Sequence, residues 1–97
     1  MAGYLIADVT TVTDPALYER YKPLVPPTLR AFNGTYLARS GGVTVLEGRW
    51  QPERVVIVRF DSAARAMQWW ASDHYRAARI MRQAAAETNM IVVEGVA

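Results

Sequence analysis

Val55-Val56-Ile57-Val58, near the middle of the chain, is the stretch that decides the fold. It lies in a predicted strand from Arg54 to Phe60. Because successive side chains of a strand point to opposite faces, this run is apolar on both. A strand of this kind is covered on both sides of its sheet. Helices of the same chain can cover one face of an antiparallel sheet, so we expect a second sheet to cover the other.

Turn and capping residues divide the rest of the chain. Asp14 and Pro15 suit the N-cap and the first helical position, and Ser62 suits a second N-cap. Gly41-Gly42 is a hairpin signal. Prolines at 23, 26 and 27 interrupt the first helix, and Asn33-Gly34 suits a left-handed cap at its end. The predicted strands are Tyr4–Val12, Thr35–Ser40, Val43–Trp50, Arg54–Phe60 and Asn89–Glu94. The first helix has two pieces: one ends near Tyr21 or Lys22, and the other ends at Phe32. The last helix restarts at Ser72 or Asp73.

Apolar spacing predicts the buried faces of the last helix. In its first piece the stripe includes Trp70 and leaves Trp69 off it, and in its second piece the stripe includes Ile80 and Met81. A row of three arginines at i, i+3 and i+6 predicts the solvated face; these are Arg76, Arg79 and Arg82.

The order of elements is β-α-β-β-α-β with one further strand-like segment. This order is typical of an α+β, ferredoxin-like split βαβ fold with an antiparallel sheet. A chain of 97 residues has room for a single domain, residues 1–97. Because the strands are apolar on both faces, we predict a homodimer in which two sheets pack face to face, a dimeric α+β barrel.

Composition excludes several classes of function. There are 11 basic and 9 acidic residues without a basic run, which does not favour nucleic-acid binding. Cysteine is absent and there is a single histidine, so a zinc site is weakly supported and no metal is expected. No phosphate-binding glycine loop, signal peptide or membrane span is apparent, and we expect a cytoplasmic protein. Ten of the eleven basic residues are arginine, which reflects either a GC-rich genome or a preference for bidentate anion recognition.

Motifs from about Tyr4 to Gly95 carry a family resemblance. They are Tyr18 and Tyr21 with Val25-Pro26; Leu37-Ala38-Arg39 with Gly41-Gly42; Leu46-Glu47-Gly48 with Trp50, Pro52 and Arg54; Phe60 and Ser62; Ala66, Trp69-Trp70, Ser72 and Tyr75; Ala78, Arg82 and Ala85; and Val93-Glu94-Gly95. In these motifs the chain resembles the bacterial domain-of-unknown-function family thirteen-thirty, within the dimeric α+β barrel superfamily. One departure is Asp73-His74, where such proteins typically have Pro-Glu.

The resemblance implies a fold and a range of chemistries. The wider superfamily includes cofactor-independent monooxygenases, ring cyclases, isomerases and haem-degrading enzymes. A shared fold does not determine which of these applies.

Arg39 and Glu47 are the first candidate pair. A two-residue turn at Gly41-Gly42 places them on opposite faces of the predicted hairpin, and a three-residue loop places them on the same face. They form either a cross-strand ion pair or an anion clamp beside a general base.

Aromatic residues and His74 complete the candidate site. Several tyrosines and tryptophans beneath a proline-kinked helix are typical of the wall of an apolar pocket. His74 can act as a general base, or it is a solvated residue at a helix start. Candidate catalytic residues are His74, Arg39, Glu47 and Tyr21, and candidate substrate-binding residues are Tyr18, Trp50, Arg54, Trp70 and Tyr75.

These residues favour a small enzyme that needs no cofactor and acts on an apolar or aromatic metabolite by acid–base chemistry. Isomerisation, cyclisation and oxygenation are the reaction types expected, with Arg39 stabilising a developing anion and Tyr21 and Tyr75 donating hydrogen bonds. The alternative is a non-catalytic dimeric module, either one that binds a small ligand or a structural one with a filled barrel.

Overall fold

The computed structural model describes residues 1–97. Its elements are β1 (Gly3–Val12), α1 (Pro15–Tyr21), a 3-10 turn (Lys22–Leu24), α2 (Val25–Ala31), β2 (Thr35–Arg39), β3 (Arg54–Phe60), α3 (Ala63–Ala71), α4 (Asp73–Ala85) and β4 (Ala86–Glu94). The four strands form one antiparallel sheet in the order β2-β3-β1-β4. This is the predicted ferredoxin-like α+β fold.

Side-chain caps define the helix boundaries where the sequence predicts them. Asp14 accepts a hydrogen bond from the Leu17 amide at 3.1 Å, and Ser62 accepts one from the Arg65 amide at 3.0 Å. Ser72 ends α3 and caps α4, so the predicted restart of the last helix is confirmed. Asn33 adopts the left-handed conformation after α2, with a φ of 62°. None of these helices is both long and apolar enough to cross a membrane.

The two faces of the sheet differ in what covers them. All four helices lie against one face, where Leu5, Val58 and Phe60 belong to a cluster of 15 buried apolar residues. The other face, here called the open face, carries Ile57 opposite Ile6, which in turn lies opposite Ile91. Ile91 is 55% exposed. Nothing in this chain covers most of the open face.

The predicted strand Val43–Trp50 is wrong. Residues 41–53 contain no strand, and all except Pro52 are exposed. β2 pairs directly with β3, with Arg39 opposite Val56, so Gly41-Gly42 does not form a hairpin turn. β3 takes the place beside β2 that the partner in the predicted hairpin would occupy, and the segment stays outside the sheet.

The predicted buried faces of the last helix are also wrong. Trp69 is 2% exposed and Trp70 is 40% exposed, the reverse of the prediction. Arg82, expected in solvent, is 6% exposed, whereas Ile80 is 54% exposed. α4 contacts α1 and α2 as well as β4, and this packing buries the face that contains Tyr75 and Arg82 rather than the stripe with Ile80.

Candidate functional site

A narrow cavity, here called the inner cavity, lies between the proline-containing helices and the covered face of the sheet. Its volume is about 70 Å³. Thirteen of its 17 lining residues are hydrophobic. The lining consists of Leu5, Ala7, Val9, Tyr18, Tyr21, Lys22, Val25, Leu29, Tyr36, Arg39, Ser40, Val56, Val58, Trp69, Tyr75, Arg82 and Met90.

Three polar side chains form a hydrogen-bonded chain in this apolar setting. The hydroxyls of Tyr21 and Tyr75 are 2.8 Å apart, and Arg82 Nε donates to the Tyr75 hydroxyl at 3.2 Å. Trp69 stacks on the Tyr75 ring with centroids 3.9 Å apart and donates its own N–H to Thr28. Because guanidinium only donates hydrogen bonds, the Tyr75 hydroxyl accepts from Arg82, and either hydroxyl can be the donor between Tyr75 and Tyr21.

Burial favours the protonated form of two tyrosine hydroxyls, those of Tyr21 and Tyr36. Burial, and secondarily the neighbouring Tyr75, raises the pKa of Tyr21 far above its usual range. Burial also raises the pKa of Tyr36, although the Arg39 guanidinium opposes this change. That guanidinium lies 4.7 Å from the centroid of the Tyr36 ring. At neutral pH, Tyr21 is therefore a hydrogen-bond donor and not a base.

The inner cavity is lined by cations and by no acidic side chain. Lys22, Arg39 and Arg82 belong to the lining, which contains no Asp, Glu or His. Lys22 forms an ion pair with Glu19 at 2.8 Å, whereas neither arginine forms one. This arrangement favours a ligand oxygen that carries negative charge, because a nearby cation is more effective in a low-dielectric site.

A larger depression, here called the outer groove, lies on the other side of Arg82. Its volume is about 640 Å³, and it runs between α3, the end of α4 and β4. Leu5, Arg82 and Met90 line both the groove and the inner cavity. Trp70 lies in the groove wall, where Arg79 stacks at 4.6 Å from its ring centroid.

Asp8 is the buried charged residue of the open face. It is 6% exposed, and its Oδ2 accepts a hydrogen bond from Trp50 Nε1 at 2.8 Å. Its Oδ1 is buried and has no hydrogen-bond partner. No group of three or more His, Asp or Glu side chains is arranged to hold a metal ion.

The structure brings four of the candidate residues together. Tyr18, Tyr21, Arg39 and Tyr75 all line the inner cavity. The Tyr18 and Tyr21 rings lie 5.8 Å apart, which places both on the cavity side of α1. Trp70 lies in the outer groove instead.

The remaining candidate residues lie outside both cavities. His74 is exposed at the start of α4, with its ring 5.4 Å from that of Phe32. Glu47 is exposed in the segment that follows β2 and forms no ion pair with Arg39. Arg54 begins β3 opposite Val9, and Trp50 covers Asp8 on the open face.

Arg82 is the residue of this site that sequence reasoning missed. The available signal was the spacing of Tyr75, Ala78, Arg82 and Ala85, which places them on one helix face. The neighbouring stripe with Ile80 and Met81 is more hydrophobic and concealed it. Asp8 was not among the candidate residues, because a single charged residue within an apolar strand forms no recognisable sequence motif.

Solved structures with this fold come from several bacteria. A protein of unknown function from Rhodopseudomonas palustris, RPA0582, has a TM-score of 0.75 at 18% identity, over 99% of this chain and 83% of that one. A dimeric ferredoxin-like protein of unknown function from Thermobifida fusca YX has a TM-score of 0.62 at 15% identity, over 97% and 91% of the two chains. An antibiotic biosynthesis monooxygenase has a TM-score of 0.56 at 14% identity, over the full length of both chains.

Such distant similarities show the fold and no more. No curated protein matches the sequence significantly. The model of one family, Domain of unknown function (DUF1330), matches residues 2–96, which is almost the entire chain. The resemblance found in the sequence motifs is thereby confirmed, and the chain belongs to the DUF1330 family.

Proposed function

We propose that this protein is a small enzyme that needs no cofactor and acts on an apolar or aromatic metabolite by acid–base chemistry in the inner cavity. Isomerisation, cyclisation and oxygenation are the reaction types in view. One observation carries the proposal: the hydrogen-bonded chain Arg82–Tyr75–Tyr21 is buried in an otherwise apolar cavity.

The proposed chemistry is stabilisation of an oxyanion. Removing a proton from the carbon next to a carbonyl moves negative charge onto the carbonyl oxygen. Tyr21, kept protonated by its raised pKa, donates a hydrogen bond to that oxygen. The charge of Arg82 reinforces this donor through Tyr75, and the enclosed apolar walls strengthen the interaction relative to water.

Cavity size determines how a substrate would lie. A volume of about 70 Å³ accommodates only the reacting end of a metabolite. The rest of the molecule would extend past Lys22, Arg39 and Ser40, which line the cavity and are its most accessible members. Arg39 would stabilise a carboxylate or enolate at this mouth.

The base is proposed to be His74 or Glu47. Both are exposed in the single chain, so either must approach the mouth of the cavity when substrate is bound or when a second subunit is present. A homodimer is supported by the dimeric description of similar structures and by the apolar open face. The monooxygenase with the same fold supports the reaction class by analogy alone.

Exchange of carbon-bound hydrogen tests the proposal without knowledge of the full reaction. A panel of small aromatic and aliphatic ketones and keto acids is incubated with the protein in D2O, and deuterium uptake is followed by NMR. We expect exchange with at least one compound. Tyr21→Phe should lower kcat about a hundredfold, the effect of losing one oxyanion donor.

Matched variants show whether the effect is local. Tyr4→Phe, on the open face, should exchange at the wild-type rate. His74→Ala and Glu47→Gln identify the base by which of them loses activity. No exchange above buffer with any compound, or a full rate in Tyr21→Phe, would overturn the proposal.

A second candidate function is non-catalytic binding of a small apolar ligand. The observation that favours it is the lack of any Asp, Glu or His in the lining of the inner cavity. It predicts ligand-induced shifts of Tyr21 and Trp69 signals without deuterium uptake, and no dependence on His74 or Glu47.

A further inference from the structure

The outer groove has the volume of a small-molecule binding site, and no other segment of the chain fills it. Its volume of about 640 Å³ is within the range of ligand pockets, about 300–1,000 Å³. Eight of its 11 lining residues are hydrophobic, among them Met67, Trp70 and Val92. Met67 is 55% exposed and Trp70 is 40% exposed, a large apolar area for one depression.

Arg82 is the one charged residue of this groove. It is 6% exposed, forms no ion pair, and uses only Nε in a hydrogen bond, to the neutral hydroxyl of Tyr75. A guanidinium buried without a counter-ion is unfavourable, because it has lost hydration and gained no charge of opposite sign. No acidic residue lines the groove.

Thr88 is a second polar residue of the groove wall without a partner. Its hydroxyl is buried and forms no hydrogen bond. A buried hydroxyl and a buried guanidinium beside one depression match the two oxygens of a carboxylate.

We propose that the outer groove binds a small monocarboxylate with an apolar tail. The carboxylate accepts hydrogen bonds from the Nη groups of Arg82, with the Thr88 hydroxyl as a further donor. The tail lies along Met67, Trp70 and Val92. This site is separate from the reaction proposed for the inner cavity, although both include Arg82.

The exposed segment 41–53 of a second copy is the competing occupant, since it carries Val45, Leu46 and Glu47. A polypeptide would bring backbone N–H and C=O groups into a groove whose lining offers only Arg82, Gln83 and Thr88 as polar side chains. Backbone groups left unpaired there would be unfavourable. A slender carboxylate brings no such groups, and it can reach a guanidinium that is almost fully buried.

Titration of the intact protein with octanoate, octanol and octylammonium tests the proposal. Heteronuclear NMR reports affinities and the residues affected. We expect octanoate to bind about tenfold or more tightly than octanol, with octylammonium weakest, and shifts at Met67, Trp70 and Val92. Equal affinities for octanoate and octanol would overturn the proposal. This comparison needs only the wild-type protein.

Two substitutions locate the carboxylate. Arg82→Met should remove the preference for octanoate over octanol, whereas Arg76→Met, an exposed arginine on the same helix, should preserve it. Thr88→Val should weaken octanoate binding several-fold and raise the melting temperature of the free protein, because it removes a buried unpaired hydroxyl. Retained preference in a folded Arg82→Met protein contradicts the assignment.

Two further variants separate this proposal from its alternatives. Tyr21→Phe should leave octanoate affinity unchanged, so failure of the reaction proposed for the inner cavity does not affect the groove site. A Val45→Ser, Leu46→Ser double variant tests the segment from a second copy. If octanoate binds only after this change, and the protein has become monomeric, the groove belongs to the partner subunit and the proposal is wrong.

Discussion

The two faces of the sheet each bury one charged side chain, but they enclose it differently. On the covered face, Arg82 is surrounded by helices and strands of its own chain and donates to Tyr75. On the open face, Asp8 is covered by Trp50, itself 63% exposed, and one carboxylate oxygen has no partner. The covered face is thus completed by a single chain apart from the inner cavity, and the open face is not.

Two neighbouring apolar residues of β3 show the same difference in burial between the two faces. Val58 faces the helices and is 2% exposed, while Ile57 faces the other way and is only half-buried. An apolar face that a chain leaves uncovered is typical of a surface that packs against another subunit. Substitutions paired across the sheet therefore separate folding from association.

The largest difference between the two faces is expected when a single aspartate is introduced on one or the other. Val58→Asp should leave the protein unfolded, because an unpaired buried charge is unfavourable by several kcal/mol and domains are stable by about 5–15 kcal/mol. Ile57→Asp should remain folded and lose the dimer. Circular dichroism and sedimentation velocity measure the two properties. An unfolded Ile57→Asp protein would show that folding and association are inseparable here.

The next effect concerns aromatic packing on the covered face. Tyr75 is fully buried, so Tyr75→Ala should lower the free energy of unfolding by about 3–5 kcal/mol. Tyr4→Ala, on the half-buried open face, should lower it by less than about 1.5 kcal/mol. Urea denaturation in the Ile57→Asp background removes the contribution of association. Equal losses would mean that the two faces are packed equally well.

The third prediction concerns the buried carboxylate of Asp8 on the open face. If the partner supplies a donor to its free oxygen, Asp8→Asn should weaken the dimer by about 2 kcal/mol, or roughly thirtyfold in Kd. In the monomeric background the same change should be neutral or stabilising, because it removes a buried charge. Asp61→Asn, an exposed acid, is the control. Identical effects in monomer and dimer would restrict Asp8 to contacts within its own chain.

The smallest effect at neutral pH is expected from Tyr21→Phe, about 1 kcal/mol for one hydrogen bond. Burial raises the pKa of Tyr21, so the native state holds this proton more tightly than the unfolded chain does. Its contribution is complete below the unfolded pKa of about 10 and is lost progressively as the pH rises toward the folded pKa.

Urea denaturation from pH 8 to 11 measures this dependence. Wild-type stability should fall above about pH 10, and Tyr21→Phe should reduce the fall. Some decline should remain, because burial also raises the pKa of Tyr36. Tyr4→Phe, which leaves Tyr21 and Tyr36 intact, is the control. If the stability of Tyr21→Phe falls as steeply as that of the wild type, the decline is caused by groups other than Tyr21.

Local chemistry determined the elements of this protein. The caps at Asp14 and Ser62, the prolines after Tyr21 and the left-handed Asn33 act over a few residues, so the sequence was sufficient to predict them. The order of strands and helices, with the sequence motifs, also predicted the ferredoxin-like fold and the family. An aromatic pocket wall beneath the proline-kinked helix was also predicted, and Tyr18, Tyr21 and Tyr75 line the inner cavity.

Tertiary packing decided which residues meet. The segment Val43–Trp50 has the composition of a strand, but β2 pairs with β3 instead and the segment lies outside the sheet. Contacts with the sheet and with the other helices buried Trp69 and Arg82 in place of Trp70 and Ile80. Such choices depend on distant surfaces, which local periodicity does not describe. The sequence alone therefore determined the fold, whereas only the tertiary structure brought Arg82 to Tyr75 and left Asp8 with an unpaired oxygen.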